Sequence, residues 1–153
     1  MINFIISRAL PEHAKSLTAI AISAKSHWNY PEAWIQFWIP SLTISEEYTS
    51  QNETWIAILN EMPVGFYSLK NEGEDLYLDN LWILPEHMGK GIGKSLFEHA
   101  LERSRTLGAS ILKIDADPNA QTFYERMGAK KISEAHSRIY NEERILPVME
   151  IHL

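Results

Sequence analysis

The sequence predicts a single α/β domain over residues 1–153, with the α+β character of a sheet of mixed strand direction, and three observations lead there. β-prone runs and segments of helical periodicity succeed one another in the order β-α-α-β-β-β-α-β-α-β-β. Three consecutive strands are joined by short polar turns, which makes them antiparallel. One helix connects two strands, which makes that pair parallel with a right-handed crossover.

Residues 3–8 are apolar and β-prone, and Pro11 opens a helix in which Leu10, Ala14, Leu17, Ala21 and Ala24 recur at helical spacing. The stretch His27-Trp28-Asn29-Tyr30-Pro31 breaks that pattern. Pro31 suits the first turn of a second helix, and Trp34, Phe37 and Trp38 follow before Pro40. Residues 54–59 and 64–69 are strands joined by Asn60-Glu61-Met62-Pro63, and a third strand, 76–84, follows the polar turn 71–75. After a glycine-rich loop, Leu96, Ala100, Leu101 and Leu107 mark an amphipathic helix closed by Gly108, and residues 111–116 form the next strand. Asp117-Pro118-Asn119 starts a short helix, with Asn119 as its N-cap, running to Met127-Gly128. Two last strands, 129–135 and 146–153, flank a polar loop that holds His136, Arg138, Asn141 and Arg144.

Composition narrows the function. At 45% hydrophobic and 22% charged residues the chain is an ordinary globular protein rather than a disordered or fibrous one. A net charge of −6 argues against nucleic acid as a partner, because phosphate backbones are held by clustered Lys and Arg. The absence of cysteine excludes disulfides, thiolate catalysis and Cys-ligated zinc together. The N-terminal apolar run is shorter than a signal-peptide core, and no stretch reaches the ~20 apolar residues of a membrane span. These features predict a soluble, cytoplasmic protein with no membrane partner.

The glycine loop carries the chemistry. A strand feeding Met88-Gly89-Lys90-Gly91-Ile92-Gly93, which opens a helix, aims backbone N–H groups and the positive end of the helix dipole at one spot. That arrangement suits a phosphate, and the glycines allow close approach to the backbone. Three other readings compete with a dedicated phosphate cradle. Met88 through Ser95 matches the nucleotide-binding P-loop except at its first position, where Met88 stands for Gly, but that fold needs several βα units after the loop. A dinucleotide fingerprint fails because the glycines run G-x-G-x-G. An ordinary helix-start turn is the third.

The run Leu81-Trp82-Ile83-Leu84-Pro85-Glu86-His87-Met88-Gly89-Lys90-Gly91-Ile92-Gly93-Lys94 resembles the acetyl-CoA signature of the GNAT superfamily of N-acetyltransferases: an apolar strand, a Pro and an R/Q-x-x-G-x-G/A loop before a helix. About thirty residues on, the segment from Asp117 through Asn119, Phe123 and Tyr124 to Met127-Gly128-Ala129 resembles the second signature of that family. The resemblance is specific over residues 76–135. The ending Arg144-Ile145-Leu146-Pro147-Val148-Met149 is similar to an uncharacterised bacterial subgroup. Met88 departs from the usual Arg or Gln, at a loop whose pyrophosphate contacts in the family come largely from backbone N–H groups.

The resemblance implies the GNAT fold and an acetyl transfer from acetyl-CoA to an amine by direct attack, with no metal. It places the cofactor on Leu81, Trp82 and Ile83, which pair with the pantetheine arm as an added strand does, on Met88, Gly89, Lys90, Gly91, Ile92, Gly93 and Lys94 around the pyrophosphate, and on Asn119 and Tyr124. Leu81 and Ile83 also suit ordinary core packing. Tyr124 corresponds to the general acid for the leaving thiolate; packed beside Phe123, it also suits a structural place. The base is open: Asp79, an acidic residue in an apolar run, comes first, with Asp115 and His27 as alternatives. His27, Trp28 and Tyr30, with Trp34 and Trp38, lie where the family shapes the acceptor pocket. They are expected to hold a small or cationic acceptor by cation–π contact, or else to serve helix packing. The acceptor is a small-molecule amine or a protein amino group, a non-catalytic acyl-CoA-binding module is the alternative, and the aromatic-rich surface suggests a homodimer.

Overall fold

β1 forms at Ile5–Arg8, where the sequence predicted a strand. The computed structural model describes residues 3–153, so the first two residues of the N-terminal run lie outside the described residues. A 3-10 turn at Pro11–His13 leads into α1 (Ala14–Ser26), whose Ala14, Leu17, Ile20, Ala21 and Ala24 bury one face at helical spacing. Then come α2 (Glu32–Leu42), α3 (Glu46–Gln51), β2 (Glu53–Leu59), β3 (Met62–Glu72) and β4 (Asp75–Ile83). The remainder is α4 (Ile92–Thr106), β5 (Ile111–Asp115), α5 (Gln121–Arg126), β6 (Lys130–Ile139) and β7 (Glu142–His152).

The seven strands form one sheet in the order β1-β2-β3-β4-β5-β7-β6. β1 runs antiparallel to β2, with Ile5 opposite Ile58. β4 and β5, joined through α4, are parallel, with Leu76 opposite Leu112 and Tyr77 opposite Lys113, as the crossover helix requires. β7 lies antiparallel between β5 and β6. Asn60 and Glu61 both take positive φ, the tight turn whose twist matches a hairpin, and so β2 and β3 are joined by two residues.

The chain divides into two compact units, one of residues up to Ser68 together with Asn80–Glu98, the other of Leu69–Asp79 and His99–Leu153. In the first unit Ala9, Leu17, Ile20, Ala21, Leu42, Ile44, Ile56 and Phe66 form a buried cluster, with Trp38, Tyr48, Trp82 and Leu84 packed against it. In the second, Leu69, Leu112, Ile114, Ile139 and Met149 are buried.

α2 runs through Pro40 to Leu42. Pro40 removes only one donor near the helix end, and Leu42 and Ile44, both buried, hold the last turn to the core. α3 was not foreseen; Ser45 caps it by accepting the Tyr48 N–H at 3.0 Å. The short helix opens as a 3-10 turn at Pro118–Ala120 whose N-cap is Asp117, not Asn119: the Asp117 carboxylate accepts the Asn119 N–H at 2.8 Å, and α5 follows with Ala120 at its own cap position. The polar loop at 136–144 is instead a hairpin, paired from Ile139↔Glu142 through His136↔Ile145, with Tyr140 in the turn at φ 52°.

Gly65 on β3 makes a direct prediction. A Cβ built there falls 2.7 Å from Ile83 Cδ1 and 3.0 Å from the Trp82 carbonyl oxygen. Gly65→Ala should therefore push β4 away and lower stability by about 1–3 kcal/mol in chemical denaturation; an unchanged midpoint would show that the two strands are not packed so closely.

Candidate functional site

The loop after β4 is built by backbone conformation. A 3-10 turn at Pro85–His87 precedes Met88, and Gly89 and Gly91 then adopt φ of +77° and +85°, the left-handed region closed to most side chains. A Cβ added at either would meet nothing within 4 Å, so torsion rather than crowding selects glycine. Ser95 N–H bonds the Gly91 carbonyl at 3.1 Å as the first helical bond of α4, which leaves the N–H groups of Ile92, Gly93 and Lys94 without an acceptor inside the helix. Ile92 is buried and anchors the helix start, while Gly89, Lys90 and Gly91 are exposed. Three donors and a helix dipole thus converge on an accessible spot. Met88 is half-buried; Lys90 Nζ lies 3.3 Å from His87 Nδ1, and Lys94 pairs with Glu98 at 4.0 Å in solvent.

Leu81, Trp82 and Ile83 are half-buried at the end of β4, and the Leu84 N–H bonds the Val64 carbonyl at 2.9 Å, which ties the strand to β3. The loop, these three residues and the aromatic group at 27–38 all belong to the first unit.

The aromatic group at 27–38 makes close contacts among its own rings, in keeping with the helix packing that was one of its two expected roles. Tyr30 stacks on Trp34 with centroids 5.9 Å apart and meets Trp38 edge-on at 4.9 Å. The Lys25 ammonium sits 4.2 Å over Trp38 and 5.0 Å over Tyr30. One face each of Trp38 and Tyr30 thus already holds a cation from α1. His27 and Trp28 form a separate edge-to-face pair at 5.0 Å, both exposed.

Asp79, Asn119 and Tyr124 belong to the second unit. Asp79 is exposed on β4 and Asp115 is exposed at the end of β5. Tyr124, 7% exposed, packs edge-to-face on Phe123 at 5.3 Å. Burial, with the charge of Asp117 second, holds its phenol well above the usual range, so it stays neutral. Asp117 organises this segment: it accepts both the backbone N–H and the side-chain Nδ2 of Asn119, at 2.8 and 2.9 Å, and its other oxygen lies 3.8 Å from Arg144.

Two groupings escaped the sequence reading. Arg144 was assigned to a loop. Tyr48, Ser68 and Asn80 form the other grouping, whose one sequence signal is an Asn inside an apolar strand, β-disfavoured and in need of partners when covered. Beyond these, an open cavity of about 630 Å³ lies between Pro11, Lys15, Thr18, Thr43 and Glu46, and none of the predicted site residues lines it.

The left-handed loop sets a testable expectation: Gly91→Ala should lower stability by about 1–2 kcal/mol through backbone strain alone. Thermal and denaturant melts check it, and an unaffected melt would mean that the loop has another conformation.

Comparison with known proteins agrees with this architecture. A family model described as acetyltransferase (GNAT) domain matches residues 16–140. An uncharacterised N-acetyltransferase, YafP of Escherichia coli K12, is 27% identical over 120 residues, 77% of this chain and 72% of its own length. The peptidyl-lysine N-acetyltransferase YjaB of Salmonella typhimurium is 34% identical over 85 residues, 55% of this chain and 54% of its own. The fold of the PaiA N-acetyltransferase of Thermoplasma acidophilum, solved in complex with coenzyme A, superposes with a TM-score of 0.82 at 20% identity, covering 99% of this chain and all of that one.

Proposed function

Because the chain belongs to the GNAT family of acetyltransferases, we propose that it transfers the acetyl group of acetyl-CoA to a primary amine by direct attack in a ternary complex, as one domain over residues 1–153. The observation that carries this is the loop: two left-handed glycines open a 15-residue helix whose first N–H groups face outward. The residues fit the cofactor, since the cradle is glycine-lined, exposed and rich in donors, as a pyrophosphate needs. The coenzyme A bound by the PaiA relative supports the same reading.

Acetyl-CoA supplies the acetyl group as an activated thioester. The N–H groups of Ile92, Gly93 and Lys94 bind the pyrophosphate, with Met88, Gly89, Lys90 and Gly91 shaping the turn. Backbone groups of Leu81, Trp82 and Ile83 pair with the pantetheine arm, and a β4 N–H stabilises the negative charge that builds on the carbonyl oxygen as the amine attacks. Asn119 holds an amide of the cofactor. Asp79, an exposed carboxylate on β4, takes the proton of the incoming ammonium. The similarity to YjaB, a peptidyl-lysine N-acetyltransferase, supports a lysine-type primary amine, free or in a protein. His27 and Trp28 border the acceptor, and Tyr30 contributes through the Lys25 pair rather than as an open cation site.

Tyr124 acts on the sulfur. A free phenol ionises near pH 10 and a free thiol near about 8.5, so full proton transfer from the phenol to a thiolate runs uphill, and more so once burial raises the phenol; what the buried phenol can supply is a hydrogen bond. Tyr124 therefore donates a hydrogen bond to the sulfur as charge builds there. Tyr124→Phe should lower kcat about 10- to 100-fold. Since the folded pKa is raised, the phenol stays protonated as pH rises, and wild-type kcat/KM should show no falling limb from this residue below about pH 10. A limb near pH 8–9 that disappears in the Phe variant would contradict the assignment.

Calorimetric titration tests the cofactor. Saturable acetyl-CoA binding, lost in a folded Gly93→Asp variant, supports the reading; Gly93 is the better choice because it is not among the positive-φ residues. Binding of ATP with Mg²⁺ but not acetyl-CoA would overturn it, and binding without turnover of any amine would favour an acyl-CoA-sensing module.

A further inference from the structure

Beside the loop, on β4 itself, four side chains from three elements form a closed polar chain. The Trp82 Nε1–H donates to Asn80 Oδ1 at 2.9 Å. Asn80 Nδ2 donates to Ser68 Oγ on β3 at 2.9 Å and, more weakly, to Tyr48 Oη on α3 at 3.4 Å. Tyr48 Oη and Ser68 Oγ are themselves 2.8 Å apart. Both ends of the Asn80 amide are thus engaged, and Ser68 is fully buried. Asn80 and Trp82 are two apart on a strand and so share a face, the one packed on the first unit's core through Trp82 and Tyr48.

The position of this chain is informative. β5 pairs with β4 at Leu76 and Tyr77, ahead of Asn80 in sequence. The part of β4 proposed to offer its backbone to the pantetheine arm is residues 81–83, and Trp82 is its centre. A strand that presents N–H and C=O groups to a ligand must hold its register before the ligand arrives, or part of the binding free energy is lost in ordering it. Apolar packing alone permits an indole to swing; a directed Nε1–H bond to an amide pinned at its other end selects one rotamer.

We propose that Asn80 is a positioning residue: through the Tyr48–Ser68–Asn80–Trp82 chain it locks the Trp82 indole and thereby pre-sets the β4 backbone for acetyl-CoA. This rests on the acetyl-transfer reading above. Asn80 contacts no reacting atom; it acts through Trp82. The hydroxyls of Ser68 and Tyr48 can donate as well as accept, so a carboxylate at position 80 can replace the amide by accepting from both and from the indole.

The test compares wild type, Asn80→Leu, Asn80→Asp and Ser68→Ala by calorimetry with acetyl-CoA, together with hydrogen exchange of the Trp82 indole N–H followed by NMR. That resonance is identified by its absence in Trp82→Phe. Asn80→Leu should speed indole exchange and raise the Kd for acetyl-CoA about tenfold, the scale of a lost set of covered hydrogen bonds, and Asn80→Asp should restore both. Ser68→Ala, which loosens the Asn80 anchor without touching Trp82, should move both in the same direction by roughly threefold and carries the test if Asn80→Leu does not fold. Faster indole exchange with unchanged affinity, or no change in either, overturns the inference while leaving the acetyl-transfer reading intact. A wild type that exchanges its indole slowly but binds no acetyl-CoA overturns that reading and the positioning role with it.

Discussion

A chain that must pass from an extended strand into a helix within a few residues, and leave the helix's first donors facing solvent, needs backbone torsions that side-chain-bearing residues adopt only under strain. Gly89 and Gly91 supply them, at φ +77° and +85°. With Gly91 as the last residue before the helical ladder, the N–H groups of Ile92, Gly93 and Lys94 are released from the helix, and their direction is set by α4, which buried Ile92, Leu96 and Phe97 fix in place. The anion cradle is thus a consequence of where a helix starts. Side chains matter less to such a cradle, so Met88, which departs from the Arg or Gln of the signature that the loop resembles, is compatible with the proposed site.

A second constraint concerns β4. Gly65 lets Ile83 and the Trp82 carbonyl approach β3 closely, and the Tyr48–Ser68–Asn80–Trp82 chain fastens the opposite face of the strand. In the second unit, Asp117 plays a comparable organising part for the segment bearing Tyr124: it holds Asn119 by two hydrogen bonds, faces Arg144 at 3.8 Å, and its charge adds to the burial that keeps the phenol neutral. In both places a polar side chain fixes the backbone or the protonation state of its neighbour.

The sequence made much of this legible, for reasons that differ by element. The loop and α4 were readable because glycines, apolar spacing at Leu96 and Ala100, and the stop at Gly108 are all local signals. α3 was not, because Glu46–Gln51 has no apolar period and only Ser45 marks its start. The hairpin at 136–144 looked like a loop because its residues are polar; its strands are held by the β6–β7 ladder, with most β6 side chains exposed, so no apolar face announces them. Asn119 was taken for the cap because Asp117 and Asn119 are both good capping residues two positions apart, and only geometry decides between them. The aromatic group at 27–38 was visible, whereas its occupant, Lys25, was hidden by the prior that lysines face solvent.

Amide hydrogen exchange, measured peptide by peptide with and without acetyl-CoA, tests the central claim most directly. The account predicts that the cofactor slows exchange in two separate stretches, the start of α4 at Ile92, Gly93 and Lys94 and the end of β4 at Leu81, Trp82 and Ile83, because those backbone donors change from solvent or loose partners to the ligand. Protection confined to other segments, such as the cavity between Pro11 and Glu46, or no protection under saturating acetyl-CoA, would contradict it.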